Sequence, residues 1–485
     1  MSIERQALSG LKWVAIAKLS SQIVSWTATL LVMRLLTPQD YGLMAIVTVV
    51  ITVLSNVAEL GIGASVVQAR EVTKEDLAQV SGLVTLVNVA VFASLCMAAP
   101  MISTVYEDPA LTLLIQVAGI QLLINGAATI PQALAQRHME FKRLAGVETV
   151  WAFSTALATL ILAWRGAGVW SLVIGSLIGA VARASMLISH GFVWPSFRLR
   201  GVHKFLALGG AVMFGRLSWQ VVYQSDVLIG ARRLGATEIG GYSVALQLAT
   251  LPMQKIMSIL NQVVLPAVAR LQDERERLRT RLLEGCRLLT AVSVPVLWGI
   301  SAVAPELVAV VLGEKWAAAA LPLQLISLVV PVRMISGAFA TANLGIGRAG
   351  LDFRNNVITA IVLPTAFFVG TFYGVNGLAA SWLVAIPIVL ALNFPRVARA
   401  LSVSIPDVVN AVWRCFAAGM TMYVVVNVCR TMLGAVSPYA TLPILICVGA
   451  LAYLGTLHAL DRHIMKDMFA LVRPTRSTPS TPGRG

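Results

Sequence analysis

Long apolar windows occupy most of this chain. A membrane-spanning helix needs about 20 mostly apolar residues, and fourteen windows in the 485-residue sequence fit that description. The predicted spans cover residues 11–33, 43–63, 78–101, 110–130, 146–164, 167–188, 205–228, 240–263, 286–311, 318–340, 355–374, 376–395, 408–430 and 439–460. Charged residues make up only 12% of the chain, against about 25% in soluble domains. The sequence therefore predicts an all-α, polytopic integral membrane protein and excludes an ordinary globular or disordered chain.

Basic residues concentrate in alternate loops between the predicted spans. With the N-terminus in the cytoplasm, 25 of the 37 Lys and Arg residues lie on the cytoplasmic side, six on the opposite side and six inside spans. Cytoplasmic loops of membrane proteins carry such an excess. The pattern predicts that both termini are cytoplasmic. It also accounts for the net charge of +15 without a nucleic-acid partner.

The first twelve predicted spans form two blocks of six with a weak internal repeat. Arg34-Leu35 precedes Tyr41-Gly42 in the first block, and Arg233-Leu234 precedes Tyr242 in the second. Both segments connect the first and second spans of their block, as in transporters built from duplicated halves. We expect an N-terminal lobe over residues 1–200, a C-terminal lobe over 201–400, two additional transmembrane helices over 401–465 and a disordered cytoplasmic tail over 466–485.

Polar side chains recur at helical spacing in the first two spans of each block. Residues three, four and seven apart share one face of an α-helix. The stripes are Lys18, Ser21, Gln22, Ser25 and Thr29 in span one; Thr48, Thr52, Ser55, Asn56 and Glu59 in span two; Arg216, Trp219, Gln220 and Tyr223 in span seven; and Gln247, Thr250, Gln254, Ser258 and Asn261 in span eight. Ionisable groups in hydrocarbon cost at least about 2.5–3.5 kcal/mol each. The four stripes therefore predict one polar cavity between two lobes.

Four cations lie near the middle of predicted spans. They are Lys18, Arg216, Lys255 and, in span ten, Arg333. Arg216 is the hardest to explain as an interfacial residue, because it lies about eleven residues from either end of its span. A cationic cavity suits an anionic ligand, and a guanidinium matches the geometry of phosphate. The four side chains are therefore candidate ligands for a phosphate-containing substrate.

Two acidic residues in the spans, Glu59 and Asp226, are candidates for ion coupling or gating. Each has a structural alternative. Lys18 and Glu59 lie at similar depth, so a simple ion pair is nearly as good an explanation as ligand contact, and Asp226 lies close enough to the outer end to be interfacial. Two arginines, Arg183 and Arg414, lie near cytoplasmic ends of spans, and we expect their side chains to snorkel to the headgroups.

Motifs for covalent chemistry are absent from the sequence. There is no Walker A sequence and no HExxH, GxSxG or DxD motif. The five cysteines form no CxxC pair, and the five histidines do not cluster with carboxylates. These absences predict a protein without enzymatic activity, cofactor or metal, although they leave open an enzyme with an unfamiliar site.

Short motifs in order over roughly residues 8–400 resemble a known family. They are Ser9-Gly10-Leu11-Lys12-Trp13, Leu60-Gly61-Ile62-Gly63 with Gln68, Gln136-Arg137 with Glu140-Phe141, Gly240-Gly241-Tyr242, Pro252 with Lys255, Leu265-Pro266-Ala267 with Gln272-Asp273, Gly313-Glu314-Lys315-Trp316 and Pro322-Leu323-Gln324-Leu325. The sequence resembles Wzx-type polysaccharide repeat-unit flippases, near the colanic-acid exporter (WzxC-like) branch. That branch belongs to the multidrug/oligosaccharidyl-lipid/polysaccharide (MOP) exporter superfamily.

The resemblance implies a MATE/MurJ-like fold and alternating access. It implies an undecaprenyl-diphosphate-linked oligosaccharide as substrate, moved across the bacterial inner membrane for exopolysaccharide, capsule or O-antigen (lipopolysaccharide) biosynthesis. A polysaccharide polymerase and a chain-length regulator are candidate partners in the same membrane. The cationic cavity of the family matches by role Lys18, Arg216 and Lys255, with Arg333 as a further candidate. We expect Gln22, Gln220, Gln254 and Asn261 to hydrogen-bond sugar hydroxyls.

Two other functions remain as alternatives. A multidrug efflux transporter of the same superfamily usually takes organic cations, which a cationic cavity disfavours. An integral-membrane polymerase or glycosyltransferase usually carries a sizeable catalytic loop, whereas the predicted outside loops are short. Drug sensitivity of a deletion strain would favour the first alternative, and altered polymer length without loss of translocation would favour the second.

Overall fold

The computed structural model describes residues 26–189, 191–198, 202, 205, 217, 219–270, 274–346, 349–434 and 436–461. Within these ranges, the side chains of residues 255, 256, 258–270, 344, 349, 350, 352 and 353 are outside the description. Three predicted site residues, Lys18, Gln22 and Arg216, lie outside the described residues. The side chains of Lys255 and Asn261 are also outside the description.

Every regular element in these ranges is helical, which confirms the all-α prediction. The α-helices are α1 (Trp26–Leu35), α2 (Pro38–Glu59), α3 (Ile62–Gln68), α4 (Lys74–Val105), α5 (Ala110–Arg137), α6 (Phe141–Trp164), α7 (Val169–Ile188), α8 (Ser225–Arg270), α9 (Arg275–Ala302), α10 (Ala304–Leu307), α11 (Ala320–Gly345), α12 (Ala349–Gly370), α13 (Gly374–Leu401), α14 (Ile405–Leu433) and α15 (Pro438–Leu460). A π-helical turn covers Val308–Leu312, and 3-10 turns cover Glu314–Ala319 and Thr371–Tyr373.

Ten helical stretches among the described residues are long and apolar enough to cross a membrane. One of them, Arg354–Leu401, has 48 residues, and α8 has 46. At 1.5 Å per residue, each measures about 70 Å, more than twice the roughly 30 Å of a hydrocarbon core. Glycines with positive φ divide both, Gly374 (φ 73°) in the first and Gly235 (φ 82°) in α8. The chain is thus a multi-pass membrane protein, while the count of fourteen spans stays a prediction.

Helix caps explain why several helices begin before their predicted spans. At the start of α2, the backbone N–H of Asp40 donates to the Thr37 hydroxyl, and the Asp40 carboxylate accepts the Thr37 N–H at 2.9 Å. The same reciprocal arrangement starts α4 at Thr73 and α14 at Ser404. This reciprocal arrangement, a capping box, satisfies backbone N–H donors in the first turn of each helix. These polar caps extend the helices beyond the apolar windows from which their spans were predicted.

A break interrupts the second predicted span, 43–63. The backbone of Leu60 and Gly61 is left-handed, with φ values of 51° and 63°, and the chain restarts as the short helix α3. Ile62 and Val66 of α3 are fully buried. They pack in one apolar cluster with Val80 and Val84 of α4, Ile130 and Ala133 of α5, and Val202 and Phe205. This cluster fixes α3 against its neighbours, so the break has a defined geometry.

Small residues allow α6 and α7 to pack closely. A Cβ atom on Gly175 would overlap the Thr159 side chain, and one on Gly179 would overlap that of Thr155. Helices in lipid associate through such small residues spaced four apart, because lipid tails are as apolar as the side chains they replace. The close packing of α6 on α7 holds the C-terminal end of α7 in place beside α5.

The described residues group into two compact units. The first contains those within 1–244, 311–318 and 367–378, and the second contains those within 245–310, 319–366 and 379–485. In the second unit, the buried carboxylate of Asp461 pairs with Arg287 of α9 at 2.7 Å and with Arg414 of α14 at 2.5 Å. The Arg414 side chain is thus held by an ion pair at the end of α15, and the expectation that it snorkels to the headgroups stays a prediction. The lobe boundaries at 200 and 400 stay a prediction.

Candidate functional site

A polar cavity of about 450 Å³ lies within the first compact unit, beside the break between α2 and α3. Its lining contains nine polar residues from five helices. They are Ser55, Glu59, Gln68, Asn88, Asn125, Thr129, Gln132, Gln136 and Arg183. Polar groups at membrane depth are costly unless they serve a wet or ligand-binding chamber. This cavity is therefore the candidate functional site of the described chain.

The broken helix forms one wall of the cavity. Irregular backbone at membrane depth is tolerated where it is buried in protein or lines a cavity. Gly63 lines the cavity directly after the break, and a Cβ atom there would lie 3.1 Å from Oε1 of Glu59. On α5, a Cβ atom on Gly126 would lie 2.8 Å from Cγ of Asn88. The two glycines thus leave space for polar side chains that face the cavity.

Arg137 anchors the end of α3. Its guanidinium donates to the carbonyl oxygens of Val66 at 2.9 Å, Ala69 at 2.5 Å and Arg70 at 3.1 Å. The last carbonyls of a helix have no partner within the helix, so this one side chain caps α3 and ties it to the end of α5. The preceding residue, Gln136, lines the cavity. The Gln136-Arg137 motif therefore joins a structural cap to a cavity-lining amide.

Arg183 faces the cavity and does not snorkel, contrary to the sequence-based expectation. Its Nη2 donates to Oε1 of Gln132 at 2.9 Å, and its Nε lies 3.4 Å from Oε1 of Glu148. The guanidinium carbon lies 5.6 Å from the centroid of the Trp151 ring. The side chain is only 20% exposed. Side chains of α5 and α6 thus hold this guanidinium beside the cavity.

The lining of the cavity is close to electrically neutral. Glu59 and Arg183 are the charged residues among the described lining, and they carry opposite charges. The side chains of Lys18, Arg216 and Lys255 are outside the description, so the cationic cavity predicted from them stays a prediction.

Among the predicted site residues whose side chains are described, Glu59 lines this cavity, together with Ser55 from the same stripe. Gln220 is half-buried on helical residues 219–223, and Gln254 is exposed on α8. In the second unit, the Arg333 guanidinium lies 4.9 Å from the ring centroid of the buried Trp382. A cation–π contact of this kind stabilises a cation away from water. The ligand roles of these residues stay predictions.

Sequence reasoning missed the stripe on α5. Asn125, Thr129, Gln132 and Gln136 follow each other at intervals of four, three and four residues, so they share one helix face. The predicted fourth span ends at residue 130 and contains no charged residue. The signal was present in the spacing, but it continues past the apolar window into the last turns of α5.

A second polar arrangement lies at the other end of α2, about 25 Å from Glu59 along the helix. A Cβ atom on Gly42 would overlap the carbonyl oxygen of Ala236, and one on Gly240 would overlap that of Pro38. The starts of α2 and of the segment after Gly235 thus meet backbone to backbone. We call this contact the glycine crossing.

Asp226 is buried near the glycine crossing. Its side chain is fully inaccessible, and Oδ2 accepts a hydrogen bond from the Tyr242 hydroxyl at 2.6 Å. Oδ1 accepts from the backbone N–H of Val227 at 2.7 Å. This burial does not fit a solvated interfacial residue, which was the structural alternative for Asp226. Its assignment to ion coupling or gating stays a prediction.

Trp316, from the Gly313-Glu314-Lys315-Trp316 motif, is buried against the end of α1 and the start of α2. It is 1% exposed, and its indole Nε1 donates to the carbonyl oxygen of Met33 at 2.9 Å. Its ring lies edge-on to Tyr41 at a centroid distance of 5.5 Å. Lys315 donates to the carbonyl oxygen of Leu35 at 3.2 Å. The motif therefore satisfies carbonyls at the C-terminal end of α1.

Residues 31–321 match the family described as polysaccharide biosynthesis protein. The chain belongs to this family. It is 25% identical over 394 residues to the lipopolysaccharide biosynthesis protein WzxC of Escherichia coli strain K12, covering 79% of each chain. It is 22% identical over 480 residues to the succinoglycan biosynthesis transport protein ExoT of Rhizobium meliloti strain 1021, covering 96% of each chain. These similarities confirm the resemblance to the Wzx-type family.

The fold of this polysaccharide biosynthesis protein is similar to that of the lipid II flippase MurJ in an inward closed conformation. The TM-score is 0.76 at 14% identity, over 93% of this chain and 99% of MurJ. This similarity confirms the MurJ-like fold. The lining of the polar cavity and both glycines of the crossing fall within the residues that match the polysaccharide biosynthesis family.

Proposed function

We propose that the chain is a flippase that moves an undecaprenyl-diphosphate-linked oligosaccharide repeat unit across the bacterial inner membrane by alternating access. The observation that carries the proposal is the amide-rich cavity within the apolar helices of a polysaccharide biosynthesis protein. A hydroxyl-rich cargo loses its hydrogen bonds to water in hydrocarbon, so its passage requires a polar chamber. The protein then moves its substrate without making or breaking a covalent bond, and it is not an enzyme.

The predicted site residues have distinct roles in this proposal. The diphosphate is attracted by the cations Lys18, Arg216, Lys255 and Arg333. Sugar hydroxyls are hydrogen-bonded by the amides Gln22, Gln220, Gln254 and Asn261. Ion coupling or gating of the transport path is assigned to the carboxylates Glu59 and Asp226. Both termini face the cytoplasm, and a polysaccharide polymerase and a chain-length regulator act on the product in the same membrane.

The glycine crossing gives the proposal a gate at one end. In the proposed orientation, the start of α2 faces the periplasm, and the end of α2 with its cavity faces the cytoplasm. In this proposal, the contact of Gly42 with Gly240 is the closed periplasmic gate. Release of the substrate on the outer side then requires this contact and the Asp226–Tyr242 hydrogen bond to separate. A backbone contact between small residues can separate without unpacking a large apolar core.

The deciding experiment uses a strain from which the gene has been deleted. Surface polymer and extracted lipid-linked intermediates are measured together. We expect polymer to disappear and complete diphospholipid-linked repeat units to accumulate, protected from enzymes supplied in the periplasm. Accumulation in the outer leaflet would instead indicate a polymerase. Unchanged polymer and intermediates, together with new drug sensitivity, would indicate multidrug efflux.

A further inference from the structure

The described lining of the polar cavity in the first unit is rich in uncharged amide side chains. We propose that it is a sugar subsite, which binds the uncharged, hydroxyl-rich part of the lipid-linked substrate and excludes its diphosphate. This proposal rests on the proposed flippase function and deepens it. It assigns recognition of the sugar to α3 and α5 through Gln68, Asn125 and Gln136, in addition to the amides predicted on the other spans.

The charges around the cavity disfavour a phosphate. The Arg183 guanidinium already contacts the Gln132 amide and the Glu148 carboxylate. A phosphate entering the cavity would meet a cation that the Glu148 carboxylate already approaches at 3.4 Å. This carboxylate offsets part of the attraction between Arg183 and an anion. A neutral ligand that is held by amides does not depend on that cation.

The amides of the cavity match the hydrogen-bonding pattern of a sugar. Each carboxamide offers an acceptor oxygen and two N–H donors, and each sugar hydroxyl likewise both donates and accepts. The side chains of Gln68, Asn125 and Gln136 make no hydrogen bond within the described part of the chain. Asn88, by contrast, donates to backbone carbonyls of its own helix and of α2. Three amides therefore remain to bind a ligand.

The size and rigidity of the cavity fit part of an oligosaccharide. Its volume of about 450 Å³ falls in the range of about 300–1,000 Å³ that is typical of small-molecule sites. Asn125 and Gln136 lie three turns apart on one face of α5, about 16 Å along the helix axis, so they can contact different sugar rings. The Arg137 cap holds the α3 wall in place, and a preformed site loses less entropy when it binds.

The test compares two lipids on the purified full-length protein in detergent. The first probe is the lipid-linked repeat unit extracted from the deletion strain, and the second is bare undecaprenyl diphosphate. Dissociation constants are measured for wild type, for Asn125→Leu and for Gln136→Met, which remove amides and retain side-chain size. Gln121→Met is the matched control, because Gln121 lies one turn before Asn125 on α5 but outside the cavity lining.

We expect wild type and Gln121→Met to bind the glycosylated lipid more tightly than the bare one. Each cavity variant should bind the glycosylated lipid about five- to tenfold more weakly, the loss expected for one or two hydrogen bonds, with unchanged affinity for bare undecaprenyl diphosphate. If an amide variant does not fold, Ala64→Phe takes its place. Ala64 lines the cavity, and phenylalanine would fill part of it without removing a polar group.

The outcomes separate this proposal from the proposed function. If wild type binds neither lipid better than an ordinary phospholipid, the flippase proposal fails and the subsite fails with it. If wild type prefers the glycosylated lipid but the cavity variants match wild type, the subsite is overturned and the flippase proposal stands. Equal weakening of both lipids in the cavity variants would place the diphosphate in this cavity and would also overturn the subsite.

Discussion

Gly42 of α2 and Gly240 of α8 pack backbone to backbone, and each faces the carbonyl of the residue four positions before the other. The pairs Gly42–Gly240 and Pro38–Ala236 have the same separation in sequence. The contact is therefore reciprocal, as a duplicated structural element would produce. The weak repeat in the sequence, with Tyr41-Gly42 in one half and Gly240-Gly241-Tyr242 in the other, has a structural counterpart in this contact.

Addition of one methyl group at the crossing should be sufficient to disrupt it. Gly240→Ala places a Cβ atom against the Pro38 carbonyl, and the backbones must then move apart. Overpacking of this kind costs about 1–3 kcal/mol, so we expect a lower melting temperature in detergent and reduced polymer export. Gly285→Ala is the control, because a Cβ atom at Gly285 meets nothing within 4 Å. Equal melting temperatures for the two variants would contradict close contact at the crossing.

The buried carboxylate of Asp226 should matter more for transport than its hydrogen-bond donor. Asp226→Asn keeps the shape but removes the titratable group, so we expect membrane expression to persist and surface polymer to be lost. Tyr242→Phe removes one hydrogen bond to the carboxylate, which costs about 1–3 kcal/mol, and should lower stability while retaining export. Glu71→Gln, at an exposed position, should behave as wild type. Export by Asp226→Asn at the wild-type level would exclude a role of Asp226 in ion coupling.

Much of the fold could be predicted because membrane helices depend on local composition. The apolar windows at 78–101 and 110–130 correspond to α4 and α5. Both helices are longer than their windows, because they also include polar residues at their ends. The break after Glu59 was harder to predict from the sequence. Gly61 and Gly63 lie within the predicted span 43–63, and glycine is also common in uninterrupted membrane helices. What stabilises the break is the packing of α3 against α4 and α5, which lies outside the local sequence.

The candidate site could be predicted only in part. The spacing rule found Ser55 and Glu59 on α2, since side chains on one helix face are fixed by the period of the helix. The polar stripe on α5 was not predicted, because its residues are uncharged. The partners of Arg183 could not be predicted from helical spacing, because Gln132 and Glu148 belong to two other helices. Only tertiary packing decides whether an arginine near a helix end snorkels or turns inward.

Asp461 should be important for the stability of the second unit. Its carboxylate is 3% exposed and holds Arg287 and Arg414, whose side chains are 28% and 42% exposed. Removal of a buried partner leaves charges without compensation; because both arginines still reach solvent, we expect Asp461→Asn to cost about 1–3 kcal/mol. Thermal unfolding in detergent measures the loss. The exposed pair Arg281–Glu284 provides the control: Glu284→Gln should change stability by less than about 1 kcal/mol.

A double variant makes this prediction sharper. Combining Arg414→Gln with Asp461→Asn removes one of the two uncompensated cations, so the two effects should not add. We expect the double variant to be less destabilised than the sum of the single variants. Strict additivity would show that Arg414 and Asp461 contribute independently, in contradiction to the ion pair.

Arg216 provides the most direct test of the proposed cationic cavity. It lies in the middle of the predicted seventh span, where a guanidinium is costly unless it serves a ligand or a polar chamber. We expect Arg216→Ala to abolish surface polymer, with the protein still present in the membrane and lipid-linked repeat units accumulating. Arg216→Lys should restore only part of the export, because a lysine keeps the charge but loses the two-point geometry that matches phosphate. Arg281→Gln, which changes an exposed arginine on α9, controls for net charge. Wild-type export by Arg216→Ala would remove this residue from the diphosphate site and leave Lys18 and Lys255 as the remaining central candidates.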